Sequence, residues 1–274
     1  MILKGYWPVP LLMANLFWTV TFSFADPFPD STGIVQENPV QLPTVEITAT
    51  RIPVSVDNVP YSIDHLNVES LSGKPGVSLD ETLREIPGIS VSNRNNLSQG
   101  DRISIRGIGS RARFGVRGIR VLMDDIPLTM PDGQSQLHNL DLLNIGRIEV
   151  LRGSSSCLYG NAGGGVIHLR TKIPTHGSRI VPEIIIGSDG LQRWRTSYSY
   201  KSTNNHTLFL SMNRIKLNGY RDHSEALNHS INLVGTHVIS PNVSITSVLN
   251  VVDAPYMLNP SSLDRNTAIS EPQS

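Results

Sequence analysis

Residues 145–171 read IGRIEVLRGSSSCLYGNAGGGVIHLRT. Within them, 147–151 and 165–171 are runs rich in branched apolar residues, and both are strand candidates. The connection between them is rich in glycine, which permits positive φ and close backbone approach; ordinary turn chemistry accounts for it. GSSSC (153–157) fails the G-x-S-x-G nucleophile elbow, because Cys157 stands where the second glycine belongs. Cys157 is also the single cysteine. That excludes an intramolecular disulfide framework and a cysteine-rich zinc site.

Upstream of that stretch, residues 51–172 read as one mixed region. Strand candidates lie at 89–92, 102–106 and 119–123. A helix is expected from the S-x-x-E capping box of Ser78 and Glu81, with Leu79, Leu83 and Ile86 as its apolar face. Pro87 and Gly88 stop it. Beyond about residue 179 the pattern changes to amphipathic strands at 181–186, 191–201, 206–216, 229–239 and 243–252. Trp194, Thr196, Tyr198 and Tyr200 share one face. Leu208, Leu210 and Met212 alternate with polar neighbours, although Phe209 breaks the alternation. Val243, Ile245, Leu249 and Val251 share a parity. The connections at 202–205 and 240–242 are tight and that at 217–228 is long. Strands of about ten residues with such alternating connections fit a membrane barrel. Alternation alone fits a soluble β-sandwich equally well.

The 274 residues carry 23 basic and 23 acidic side chains, so the formal net charge is zero. Nothing in that balance draws the chain to nucleic acid or to an anionic surface. With 39% hydrophobic and 17% charged residues, the remainder is Gly, Ser, Thr, Asn and Pro. Such a mixture suits short strands and turns and excludes a coiled coil. No apolar run of about 18 residues exists beyond the N-terminus, which excludes a helical multi-span protein.

Lys4 is the only charge before Asp26, and residues 11–25 (LLMANLFWTVTFSFA) are mostly apolar. Small residues Ser23 and Ala25 complete the pattern of a secretory signal peptide over 1–25; an N-terminal membrane anchor is the alternative. Residues 26–50 read as a linker, proline-rich and aperiodic up to 42. It ends in PTVEITA (43–49), where branched residues at 44, 45, 47 and 48 favour an extended conformation. In an exported chain the lone Cys157 is expected to be buried and inert.

Four ordered blocks carry a resemblance: ETLREIPGI (81–89), ISIRGIG (103–109), RVLMDDIPL (120–128) and the 145–171 stretch. Together they resemble the plug domain of TonB-dependent outer-membrane receptors. Three departures stand out: Asp125 where glycine is usual, Ser154 in place of proline, and Cys157 in place of a common alanine. The resemblance implies an α+β plug domain over 51–172, followed over 179–274 by antiparallel β-strands of an incomplete transmembrane β-barrel. SRARFGVRGIR (110–120) and TMPDGQSQ (129–136) look like a ferric-citrate-type subgroup.

The resemblance also implies that Thr44, Val45, Glu46, Ile47, Thr48 and Ala49 form a TonB box. An extended, unpaired segment of this kind can add to the sheet edge of a partner through its main chain. The implied partners are TonB, the energy-transducing inner-membrane protein, and outer-membrane lipid. The implied cargo is a ferric siderophore or similar metal chelate. No cofactor, no resident metal, no nucleic acid and no catalysis are expected.

Arginines cluster at 102, 106, 111, 113, 117 and 120, with no acid before Asp124. Arg102 and Arg106 lie on a strand and are expected to pair with carboxylates of the barrel wall, since a charge buried in a lumen must be paired. Arg147, Glu149 and Arg152 invite the same account. Arg111 and Arg113, in a loop, are the candidates for contacting an anionic chelate, with Arg94 in the 93–101 loop as a further one.

Enzymatic readings fail on spacing. GIGSRA (107–112) fits G-x-G-x-x-A, but the next strand starts near 119 and leaves no room for a dinucleotide-fold helix. Asp124 and Asp125 with Asp132 and Asp141 could suggest hard-metal ligation, but adjacent carboxylates at a strand end point to opposite faces, which favours a turn role. Five strands cannot close a barrel around a plug, whereas outer-membrane transporters use about 22, and SSLDRNTAISEPQS at the end reads as polar loop. The expectation is a fragment, a truncated frame or one piece of a split gene, unable to transport alone. The alternatives are a soluble periplasmic plug-only binding protein and a non-functional product.

Overall fold

The computed structural model describes residues 46–67, 74–92, 97–113, 115–135, 137, 139–173 and 176–274. The expected signal peptide, residues 26–45 with Thr44 and Val45, and Arg94 lie outside the described residues. The chain opens with two short strands, β1 (Glu46–Ile47) and β2 (Val54–Ser55), paired antiparallel. Then come β3 (Ser62–Asn67), α1 (Asp80–Leu83), β4 (Ile89–Ser92), β5 (Arg102–Ile105), β6 (Val116–Arg117), β7 (Ile119–Met123), β8 (Ile126–Pro127), β9 (Gln134–Ser135) and β10 (Ile145–Arg152). A one-turn helix α2 (Ser156–Tyr159) leads into β11 (Gly165–Thr171).

The core of this region is the sheet β3-β10-β11-β7-β8. Strand β10 runs antiparallel to β3 and β11, while β11 runs parallel to β7. Both faces of the sheet are covered, which is why β10 and β11 read as near-continuous apolar runs. One face presents Ile148, Val150, Ile167, Leu169 and Val121 to Leu79, Leu83, Ile86, Ile103 and Ile105. The other presents Leu122, Leu151 and Val166 to Ile47, Ala49, Tyr159 and Ala162. Ile47 is fully buried, a contribution of about 1.5–3 kcal/mol.

Helix α1 is shorter than its apolar face suggests. Glu81 reaches back to the amides of Gly76 (2.8 Å), Val77 (2.8 Å) and Ser78 (3.0 Å), so the box works from the acidic side. The Ser78 hydroxyl accepts from the Asp80 amide at 3.0 Å, one residue short of the box position, and donates to Asp101 at 2.8 Å. Asp124 and Asp125 join β7 to β8 with φ of 49° and 69°. Two consecutive left-handed residues are what a tight hairpin of primed type requires, and the turn role expected for this pair holds.

Five long strands follow: β12 (Gly177–Ile186), β13 (Gln192–Lys201), β14 (Thr207–Leu217), β15 (Ala226–Ser240) and β16 (Val243–Met257). They form an antiparallel meander in chain order. The distribution of side chains separates a barrel wall from a soluble sandwich. Arg193, Arg195, Ser197, Ser211, Asn213, Asn228 and Ser230 are buried, whereas Trp194 and Met212 are 52% and 53% exposed. Ile184, Ile231, Leu249 and Val251 are likewise exposed. Polar side chains predominate inward, with Phe209 and Ile215 as buried apolar exceptions on β14, and apolar ones face outward, the pattern of a lipid-facing barrel. Strands β15 and β16 are longer than the alternation indicated, because irregularities at Leu227/His229 and Val238/Ser240 shift the register and break the parity.

Two expectations need correction. The terminal stretch is not all loop: α3 (Arg265–Ser270) is started by Asp264, whose carboxylate accepts from the amides of Asn266 (2.8 Å) and Thr267 (2.9 Å), an ordinary N-cap. Cys157 is exposed, not buried. A single helical turn has room for one inward residue, and in α2 that residue is Tyr159.

Candidate functional site

The four described residues of the 44–49 segment do not hang free. Ile47 and Ala49 point into the sheet face carrying Leu122, Leu151 and Val166. The amides of Thr48 and Ala49 both donate to Glu149 Oε2, at 2.9 and 2.7 Å. Tyr159 donates its hydroxyl to the Ala49 carbonyl at 2.8 Å. Arg170 Nη2 donates to Thr48 Oγ1 at 3.1 Å, and Arg147 Nη2 donates to the Glu46 carbonyl. Arg51 sits over the Tyr159 ring, 4.3 Å from its centroid.

Glu149 is completely buried, and an uncompensated charge there is costly. Its Oε1 lies 3.0 Å from Arg147 Nε, and Oε2 holds the two amides. The β-ladder sets His65 of β3 and His168 of β11 opposite it. His168 is also fully buried. Neither of its ring nitrogens makes a hydrogen bond, although Nε2 is 3.2 Å from Asp125 Oδ1 and Nδ1 is 3.9 Å from Glu149 Oε2. Burial first, and then the Arg170 charge, hold the imidazole pKa below its ordinary value, against the pull of Asp125, Glu149 and Asp124. Burial likewise pushes the Tyr159 phenol up, so it stays a hydrogen-bond donor.

A second polar cluster ties the sheet β12–β16 to the region before it. Asp141 begins a 3₁₀ turn at Leu142–Asn144. Its Oδ1 pairs with Arg193 Nη2 and its Oδ2 is 3.2 Å from Arg195 Nε. Arg193 also donates to the carbonyls of Pro75 and Gly76, both at 2.9 Å, and to Asn213 Oδ1 at 2.9 Å. Arg195 pairs with Glu183 and donates to Asn144 Oδ1 at 2.8 Å. Both guanidiniums are thereby matched in position and charge, as burial demands.

This reverses the expected direction of pairing. The arginines come from the wall and the carboxylate from the inner region. Arg102 donates to the Ala112 carbonyl at 3.4 Å, and Arg106 is an exposed residue with φ of 49°. Arg147 pairs with Glu149 and Arg152 with Asp64, both within the inner region. The Arg106 side chain passes Gly88 and Gly153, so it too runs beside the inner region.

Arg111 and Arg113 are exposed on either side of buried Ala112. Their loop packs at the end of the sheet where β7 and β11 begin: a Cβ on Gly109 would lie 3.1 Å from the Arg117 carbonyl and 3.4 Å from Ile119 Cδ1, and one on Gly164 would lie 2.9 Å from Ile108 Cγ2. Thr48 meets Arg170, and Arg170 meets Asp125, where the same two strands finish. The segment and the arginine loop therefore serve opposite ends of one sheet. Glu149, Tyr159, His168, Arg170 and Asp141 were not singled out as site residues from sequence. A Glu and a His inside the apolar runs IEVL and VIHL are the signal that could have found the first and third.

Residues 55–166 match the family described as TonB-dependent Receptor Plug Domain. Among curated proteins, the chain is 29% identical over 129 residues to the "Hemin receptor" of Yersinia enterocolitica, covering 47% of this chain and 18% of that one. It is 30% identical over 148 residues to the "Vitamin B12 transporter BtuB" of Photobacterium profundum, covering 53% and 23%. The chain thus spans under a quarter of the curated relatives it matches. The fold is similar to the unliganded ferric citrate transporter FecA, with a TM-score of 0.65 at 23% identity over 85% of this chain and 37% of that one. TonB-dependent receptors of this kind are outer-membrane proteins. Residues 55–166 therefore match the plug domain of TonB-dependent receptors, and the antiparallel strands that follow are similar in fold to those of the ferric citrate transporter.

Proposed function

We propose that the protein takes part in active uptake of an anionic ferric siderophore or similar metal chelate across the outer membrane. In this reading Thr44–Ala49 is the TonB box, and Arg111 and Arg113 contact the cargo from the opposite end of the plug sheet, with Arg94 as a further contact. No bond of the cargo is made or broken. Binding at one end biases the exposure of the segment at the other, a coupling between two sites. The observation that carries the reading is this separation. A main-chain segment with β-strand pairing capacity lies at the finish of β7 and β11, and an exposed arginine pair lies at their start.

The relatives name different cargoes: hemin, vitamin B12 and ferric citrate. The choice of an anionic chelate rests on the arginines alone. A charge-assisted hydrogen bond is worth about 1.5–3 kcal/mol, so Arg111→Ala with Arg113→Ala should weaken binding of a radiolabelled ferric chelate by at least tenfold. Affinity unchanged in the double variant across a panel of ferric citrate, hydroxamate and catecholate chelates would discard the assignment.

A further inference from the structure

Four of the bonds that hold residues 46–49 go to main-chain atoms, and the Thr48 hydroxyl adds side-chain bonds to Glu149 and Arg170. Two amides rest on Glu149, one carbonyl on Tyr159 and one on Arg147. A strand added to a partner's sheet edge uses these same groups. The segment cannot offer the amides of Thr48 and Ala49 to a partner while Glu149 holds both. Burial of Ile47 and Ala49 adds an apolar term to the hold.

We propose that Glu149, Tyr159 and Arg170 form a cradle that withholds residues 46–49 from the energising partner, and that a proton taken up by His168 opens it. The proposal rests on reading Thr44–Ala49 as the TonB box. Its geometry is local. His168 Nδ1 lies 3.9 Å from Glu149 Oε2, the oxygen that both amides use. A proton on the ring supplies a charged donor that competes with them. Its Nε2 lies 3.2 Å from Asp125 Oδ1. Asp125 is the partner of Arg170, 2.7 Å away, and Arg170 in turn donates to Thr48. A second cation there repels Arg170 and draws Asp125 from it, so one proton weakens the cradle at two of its contacts.

The charged and titratable groups around His168 are Arg147 and Glu149 on β10, His65 on β3, Asp124 and Asp125 at the β7–β8 turn, Arg170 on β11, Tyr159 on α2, Glu46 on the segment itself and Arg51 just after it. With the cradle closed, burial keeps the imidazole neutral, and the segment stays down. Opening admits water to the ring and restores its affinity for a proton. Acid therefore favours the open form.

A nitroxide at Glu46→Cys, in a Cys157→Ser background because Cys157 is exposed, reports the segment's mobility by electron paramagnetic resonance in outer-membrane preparations of the full chain. The ratio of mobile to immobile signal is expected to rise at least fivefold from pH 7.5 to pH 5.5; one linked proton allows at most about tenfold per pH unit. His168→Gln should flatten this dependence. Glu149→Gln should raise the ratio at pH 7.5. Should that variant fail to fold, Tyr159→Phe removes a single hydrogen bond and should raise the ratio in the same direction. A pH-independent ratio in the parent, a His168→Gln curve matching the parent, or no rise with Tyr159→Phe overturns the cradle.

A parallel pull-down with the periplasmic domain of TonB separates this from the function it rests on. Capture at both pH values alongside a flat spectroscopic ratio rejects the cradle and keeps the TonB box. A mobile segment at pH 5.5 that captures no TonB domain rejects the TonB box.

Discussion

Replacing Asp141 with asparagine removes the carboxylate that neutralises two wall arginines. Asp141 exposes none of its side chain, Arg193 2% and Arg195 4%. Removing one partner of a buried ion pair costs about 3–5 kcal/mol, because the remaining charge is left buried without its counter-ion. Arg195 keeps Glu183, and the carbonyls of Pro75 and Gly76 still accept from Arg193. Asparagine can also still accept from the Leu143 amide, now 3.2 Å from Asp141 Oδ1. These retained contacts put the cost at the lower end, about 3 kcal/mol.

The loss should be local, because Asp141 also sets the turn whose Asn144 carbonyl accepts from the Lys172 amide at 2.8 Å. Amide hydrogen exchange of Leu143 and Lys172 reads it. At about 1.4 kcal/mol per tenfold, protection in Asp141→Asn should fall by about a hundredfold. Glu183→Gln is the control. Glu183 is 36% exposed, and its pair should be worth under about 1 kcal/mol. Protection that changes by less than threefold in Asp141→Asn would refute the argument that Asp141 is what holds the wall arginines against the plug.

Gly165 has φ of +142°, and a Cβ there would lie 2.2 Å from the Leu151 carbonyl. Gly165→Ala should therefore disrupt the β10–β11 pairing, costing about 3 kcal/mol, measurable as lost folded yield and increased protease sensitivity. Burial pushes the Asp101 pKa up despite bonds from Ser78 Oγ and the Leu79 amide. A group protonated more readily in the folded state contributes stability below its ordinary pKa that is lost as pH rises through the folded value. Ser78→Ala raises that value further, so its destabilisation, about 1–2 kcal/mol, should be larger at pH 7 than at pH 3.5 in denaturant titrations. Leu233 lies in register with Leu210 and Leu249 on the outward face. Leu233→Arg should cost about 2–4 kcal/mol near the bilayer centre and lower the yield of membrane-inserted protein, whereas Asn232→Arg on the inward face should lower it less.

Much of the plug was legible because its central strands are buried on both faces. The runs at 119–123, 147–151 and 165–171 left little choice of structure. The edge strand β3, SIDHLN, was not legible. It carries four polar residues among six and becomes a strand because β10 offers it a ladder from Arg147 to Arg152. Strands β6 and β9, two residues each, are too short for any periodicity. Alternation in β12–β16 did not by itself distinguish a lipid-facing wall from a sandwich. The deciding fact was which parity is buried, and that depends on where the plug sits. The same holds for the site. Glu149 and His168 become neighbours only through the β10–β11 register, and Asp141 meets Arg193 across 52 residues of sequence. A charge inside an apolar run announces that it needs a partner; the sequence around it does not say which.

Strands β12–β16 turn their apolar side outward, toward lipid, and their polar side toward the plug. Single cysteines placed in a Cys157→Ser background at Met212, Ile231, Leu249, Ser211, Ser230 and Asn250 test this directly when labelled with a fluorophore and challenged with a lipid-soluble quencher in outer membranes. The expected result is alternation. Met212, Ile231 and Leu249 should be quenched, and Ser211, Ser230 and Asn250 shielded. Equal quenching at all six positions, or quenching of the polar set alone, would contradict the inward-facing plug and the membrane wall together.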